Sequence, residues 1–307
     1  MISLEKCFQR EKHILMEGAL GERLKREYQL TPDPVVALAS MAETEQGRTA
    51  LGEIWGEYIA IAQKYRLPFL TTTPTRRANR ERISLSGFGD SILKDNVDFL
   101  KEIRAESPIS MYVGGLMGCK GDAYTGEGAL CEREAQTFHG WQAEALAGAG
   151  VDFLMAGIMP TLPEAVGMAR AMSETGLPYL ISFTIREDGR LIDGTSIHDA
   201  ITRIDGAVST RPVCYMTNCV HPAIVRKALA QPWNGTTAVR ERFQGVQANT
   251  SPLPYAQLDG ATDLHCTDPC ALALEMAALG REMNLKIWGG CCGTDSRHME
   301  EMAKRMK

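Results

Sequence analysis

The feature that most limits how this chain can fold is a rhythm. Short apolar or β-branched runs fall at 13–16, 67–73, 109–113, 151–156, 178–184, 212–217, 243–248 and 285–289, each followed by a stretch with helical spacing. Such alternation points to a parallel sheet, because parallel neighbours need a connection long enough to hold a helix. Eight strand–helix units is the count of a (β/α)8 TIM barrel. The alternative, an open doubly wound sheet, wants a phosphate-binding glycine fingerprint early on, and Glu17-Gly18-Ala19-Leu20-Gly21-Glu22 is a weak match. No Ser/Pro-rich linker or abrupt charge shift divides the chain, so residues 1–307 are expected to form one barrel domain.

Local signals set the expected helices. Asp33-Pro34 reads as an N-cap with proline at the first helical position, opening a helical region that continues through a second helix near Leu51 to Tyr65. A polar, Gly-rich connection over 114–128 precedes a helix over 130–149, where Ala135, Phe138, Ala145 and Ala149 share a face. Thr161-Leu162-Pro163-Glu164 resembles a capping box, Asp268-Pro269 caps a later helix, and the last begins near Asp295.

Composition narrows the function classes. Hydrophobic residues make up 44% and charged residues 23%, enough apolar material for a large core. A net charge of -5 offers no electrostatic footprint for nucleic acid. No apolar run of about 18 residues is present and the first twelve residues carry charges throughout, so neither a membrane partner nor a secretory leader is expected. A cytoplasmic location follows. Nine cysteines, an odd and scattered set, are expected as reduced thiols rather than a disulfide framework.

Trp288-Gly289-Gly290-Cys291-Cys292-Gly293-Thr294 stands out chemically. Neighbouring side chains on a strand point to opposite faces, so both thiols reach one point only if the backbone turns, which the glycines permit. In a barrel the C-terminal strand ends share one mouth, which brings Cys219 to the same rim. Three thiolates and a vacancy describe an open zinc site. Cys266, Cys270 and His221 are the candidates for a fourth ligand; tetrahedral saturation and helix placement favour packing or capping roles for Cys270 and His221. His298 and the arginine pair Arg76 and Arg77 read as solvated surface, although that pair is also placed to attract an anionic substrate group.

The residues further resemble the homocysteine S-methyltransferase family, with its S-methylmethionine-, betaine- and cobalamin-dependent enzymes. The resemblance rests on Glu17-Gly18-Ala19-Leu20-Gly21, Tyr124-Thr125-Gly126, Met159-Pro160-Thr161-Leu162-Pro163-Glu164-Ala165, Ser182-Phe183-Thr184, Asp193-Gly194-Thr195, Thr217-Asn218-Cys219 and Gly289-Gly290-Cys291-Cys292-Gly293-Thr294, and runs from about residue 13 to 305. It implies Zn2+ held by Cys219, Cys291 and Cys292, and a methyl group passed from a small sulfonium or ammonium donor, or a corrinoid protein, to a zinc-activated thiol such as homocysteine. The reaction belongs to methionine biosynthesis and uses no separate protein nucleophile. Coordination strips the thiol proton, and the thiolate then displaces a neutral leaving group. Hydrolysis is the weaker use, since three thiolates leave zinc less electrophilic than histidine-rich sites and no His-Glu-x-x-His stretch occurs.

Glu17, Gly18, Thr73, Gly157, Asn218 and Asn249 are the expected substrate-binding positions, and Tyr124 the expected lid. Two positions depart from the family pattern. Glu17 replaces an aspartate, and Gly157-Ile158 stands where the family has Glu-Thr. The missing glutamate would hold the amino group of homocysteine, a charge-assisted contact worth about 1.5–3 kcal/mol. A different acceptor, or a binding or sensing role, is therefore the second reading. A homo-oligomer is compatible with either.

Overall fold

The computed structural model describes residues 2–252 and 267–307. Eight parallel strands close into a barrel in chain order: β1 (Ile14–Met16), β2 (Phe69–Thr72), β3 (Met111–Gly118), β4 (Phe153–Met159), β5 (Tyr179–Phe183), β6 (Cys214–Val220), β7 (Phe243–Ala248) and β8 (Ile287–Gly290). The β1–β8 pairing, with Leu15 opposite Trp288, completes the ring. The helices among the described residues are α1 (Leu4–Arg10), α2 (Gly21–Glu27), α3 (Glu45–Tyr65), α4 (Arg80–Ser86), α5 (Ser91–Ala105), α6 (Glu132–Gly148), α7 (Leu162–Glu174), α8 (Ile197–Asp205), α9 (Pro222–Leu229), α10 (Thr237–Arg242), α11 (Pro269–Met283) and α12 (Ser296–Arg305). The fold is a (β/α)8 TIM barrel.

Two apolar layers hold it. Inside the ring, Ile14, Met16, Leu70, Tyr112, Phe153, Met155, Leu180, Met216 and Ile287 pack together, and Leu4 and Cys7 of α1 join them. Gly114 leaves room for Phe153, whose ring would stand 2.3 Å from a Cβ there. Between sheet and helices, each helix turns an apolar stripe inward; on α5 the stripe is Ile92, Leu93, Val97 and Leu100, with Asn96 bonding Ala39 O. Each such fully buried Leu or Ile contributes about 1.5–3 kcal/mol.

Several sequence expectations change. Asp33 does cap, but a turn: its Oδ1 accepts from the N–H groups of Val35 and Val36, both at 2.8 Å, and a 3-10 segment (Leu38–Glu43) follows instead of an α-helix. The long helix starts at Glu45, capped by Thr44. β3 runs to Gly118, so 114–118 is buried strand rather than loop; glycine there serves close packing, which the sequence does not distinguish from a turn. Helices α1, α2, α4 and α10 are short elements whose few buried residues give no periodic signal.

Candidate active site

The loop after β8 is fixed from three sides. Gly290 N–H donates to Glu17 O (3.0 Å), Cys291 N–H to Ala248 O (2.8 Å), and Thr250 N–H to Cys292 O (3.1 Å). Thr294 Oγ1 accepts from Ala19 N–H and donates to Cys291 O. The turn needs glycine at two points. Gly293 has φ +81°, and a Cβ on Gly290 would meet Thr294 Oγ1 at 2.3 Å.

Cys219 arrives by a different device. β6 pairs irregularly with β7 between Asn218 and Val220, and Cys219 sits there with φ 61°. β4 has a matching irregularity between Ala156 and Met159, with Ile158 at φ 47°. A left-handed β-branched residue is a strained one, costing about 1–3 kcal/mol, and bulges re-aim side chains beside active sites. Asn218 joins the two: its Oδ1 accepts from Ile158 N–H (3.2 Å) and from the Ser182 hydroxyl.

The three cysteines converge. Their sulfurs lie within 4.8 Å of one another. Cys292 Sγ is 3.7 Å from Cys219 Sγ and 4.0 Å from Cys291 Sγ, while Cys219 and Cys291 are joined as a disulfide with Cα atoms 5.3 Å apart. Three sulfurs about 2.3 Å from one tetrahedral zinc stand about 3.8 Å apart, so the donor set fits that ion once the bond is reduced. Among the described residues no fourth Cys, His, Asp or Glu joins the group. His221 caps α9, accepting at Nδ1 from Ala223 N–H, and Cys266 lies outside the described residues. Cys270 is exposed rather than in the core, taking a hydrogen bond from Arg305, because its helix turns this first-turn position outward. Burial first, and then the Glu22 charge, push the Cys292 thiol up to about 11, so an empty site holds a protonated thiol and metal binding releases protons.

A cavity of about 370 Å³ opens over these sulfurs at the C-terminal ends of the strands. Glu17, Gly18, Gly157, Asn218 and Tyr124 lie on its wall, with Glu22 and Gln247, which the sequence did not single out, and Arg76, which it read first as solvated surface and second as an attractor of an anionic substrate group. Glu17 is fully buried and its carboxylate accepts four hydrogen bonds, from Trp55 Nε1, Thr71 Oγ1, Thr72 N and Thr72 Oγ1 at 2.6–2.8 Å. Burial outweighs them and raises its pKa. Glu22 Oε2 accepts from Gly293 N–H (2.6 Å). Thr73 is buried behind the wall, its hydroxyl shared with Thr75 and Leu116 N–H, and Asn249 accepts from Ser251 N–H in its own loop.

Glu164 does not close a capping box. It is buried against His139 (2.9 Å) and accepts from the N–H groups of Lys120 (2.7 Å) and Leu130 (3.4 Å), tying both ends of the loop that carries Tyr124. His298 is buried, not on the surface, because its ring bridges Asp295 and Thr267 O.

A family model described as homocysteine S-methyltransferase matches residues 14–306. Homocysteine S-methyltransferase YbgG of Bacillus subtilis (strain 168) is 25% identical over 313 residues, covering 94% of this chain and 93% of that protein. A homocysteine S-methyltransferase of Escherichia coli (strain K12) is 28% identical over 209 residues, 62% of each. The solved structure of the Escherichia coli homocysteine methyltransferase MmuM in its metallated form superposes with a TM-score of 0.78 at 19% identity, covering 98% of this chain and 99% of that one. Its oxidized form gives 0.77 at 20%, covering 97% of both.

Proposed function

Because this chain belongs to the homocysteine S-methyltransferase family, a family of methyltransferase enzymes, we propose that it is a zinc-dependent thiol methyltransferase with homocysteine as its first candidate acceptor. The methyl donor is a small sulfonium or ammonium compound or a methylated corrinoid protein. The observation that carries this reading is the group of three cysteine sulfurs opening on a cavity that fits a small thiol. When bound, zinc supplies a Lewis acid that holds the acceptor sulfur as thiolate at neutral pH.

The protein's own groups do the rest. Cys219, Cys291 and Cys292, reduced, are the ligands, with the fourth position toward the cavity. Asn218 holds the bulged backbones that aim Cys219. Glu17 ties β1 to β2 and to Trp55 of α3, fixing the floor beside Gly18 rather than offering a free carboxylate. Tyr124, on its anchored loop, covers the mouth. The acceptor gives up its thiol proton to solvent and its sulfur forms the new bond to the methyl carbon; a sulfonium or ammonium donor loses its sulfur–carbon or nitrogen–carbon bond to leave a neutral group, and a corrinoid donor would lose its cobalt–carbon bond with the electron pair kept by the corrinoid. Reduced thiols suit a cytoplasmic location, and among the described residues no helix is long and apolar enough to cross a membrane.

The test is metal content with methyl transfer: the reduced protein is expected to bind one zinc per chain and to methylate homocysteine from a sulfonium donor. A metal-free protein with full activity would falsify the reading. One observation favours a second reading, a member that has left homocysteine for another acceptor or for a sensing role: the wall at Gly157 carries no carboxylate for an amino group. Zinc binding without transfer to any thiol would select sensing.

A further inference from the structure

The cavity wall at the ends of β3 and β4 is built around one arginine. Gly118 and Gly157 are register partners there. A Cβ on Gly118 would stand 2.7 Å from Arg76 Cγ, and one on Gly157 would stand 3.9 Å from Arg76 Cδ. The methylene stem of Arg76 therefore lies across a pair of glycines, and the residue lines the cavity together with Leu116 and Ile158.

The Arg76 guanidinium has no hydrogen-bond or ion-pair partner among the described residues. Other half-buried or buried arginines do: Arg23 meets Glu27 and Glu57, Arg104 meets Asp152, and Arg242 meets Asp205. A half-buried cation without a partner is free to take an incoming anion, and its apolar neighbours strengthen that pull. The acids at the mouth are committed elsewhere. Glu17 holds four donors, and Glu22 lies against Gly293 N–H at the loop after β8.

Resting on the thiol-acceptor reading above, we propose that Arg76 binds the acid group of the acceptor, so that the substrate is a thiol bearing a carboxylate or sulfonate whose binding depends on that anion rather than on an amino group at the Gly157 wall. The planar guanidinium offers the paired donors that such a group accepts.

Binding to the reduced, zinc-loaded protein without donor, followed by calorimetry, separates the possibilities. The probes are homocysteine, its analogue lacking the amino group and its analogue lacking the carboxyl group. The desamino acid is expected to bind close to homocysteine and the decarboxylated amine about ten- to a hundredfold more weakly. Arg76→Gln should weaken both acids by about ten- to a hundredfold and leave the amine unchanged, with part of the loss restored in Arg76→Lys. Gly157→Glu, whose Cβ meets only the flexible end of Leu116 closely, sets a carboxylate beside the guanidinium and should weaken the desamino acid, which has no amino group to meet it. Equal binding of amine and acids, or acids that bind Arg76→Gln as tightly as the wild type, would overturn the proposal and leave the thiol-acceptor reading standing. If no thiol binds the zinc-loaded protein, that reading falls and the proposal falls with it.

Discussion

At the N-terminal end of the barrel, α1 lays Leu4 and Cys7 against Tyr112, Phe153 and Met216, and every side chain named is buried. At the C-terminal end, Ile158 and Cys219 take left-handed backbone angles inside their own strands, three sulfurs crowd together, and an arginine on the cavity wall has no hydrogen-bond or ion-pair partner among the described residues. One end is packed for stability and the other stores strain and unmatched charge. The closed ring makes this division workable, because packing below the mouth over-determines the backbone above it. Stability and chemistry should therefore respond to different substitutions.

The largest effect is expected at the mouth. Cys292→Ser should lower bound zinc at least tenfold and remove methyl transfer, while the urea midpoint of the metal-free protein stays near wild type, since the side chain is half-buried and outside both apolar layers. Phe153→Ala, at the other end, should cost about 3–5 kcal/mol in denaturant unfolding. Its zinc content measured below the transition should remain one per chain, and a loss of zinc there would mean that the two ends are coupled.

Asn218→Ala lies between these extremes. Leaving Ile158 N–H without its acceptor should cost about 1–3 kcal/mol, and the loosened bulge should weaken zinc about ten- to a hundredfold, read by chelator competition. Unchanged zinc affinity would show that the bulges hold themselves. The smallest effect is expected at Asp295, the cap of α12, whose partial burial is outweighed by bonds from Arg297 and His298 that depress its pKa to about 2 from the ordinary 3.8. Its stabilisation is complete above pH 3.8 and disappears as the pH falls toward 2. Asp295→Asn should flatten the acid side of the unfolding profile without altering metal content at neutral pH.

The strand ends explain how much could be read in advance. Eight apolar runs carried the barrel, and the barrel in turn gave Cys219 a reason to join Cys291 and Cys292 across about seventy residues of chain. What stayed hidden depends on contacts between elements. Glu164 has the spacing of a capping residue, yet His139 and the backbone of Lys120 and Leu130 claim it. Arg76 looks like ordinary surface because the glycines that accommodate its stem sit on β3 and β4, far along the chain. Glu22 follows the opening glycine run but shows its place only when the loop after β8 comes to meet it. The bulges at Ile158 and Cys219 are marked only by the poor strand formers before them, Gly157 and Asn218, which read equally well as strand ends.

The central claim, an open three-cysteine zinc site, is tested most directly by zinc X-ray absorption on the reduced, zinc-loaded protein before and after a thiol acceptor is added. Three sulfurs at about 2.3 Å with one lighter atom should give way to four sulfurs. A fully sulfur-ligated zinc before the thiol is added, or a lighter atom that the thiol does not displace, would contradict it.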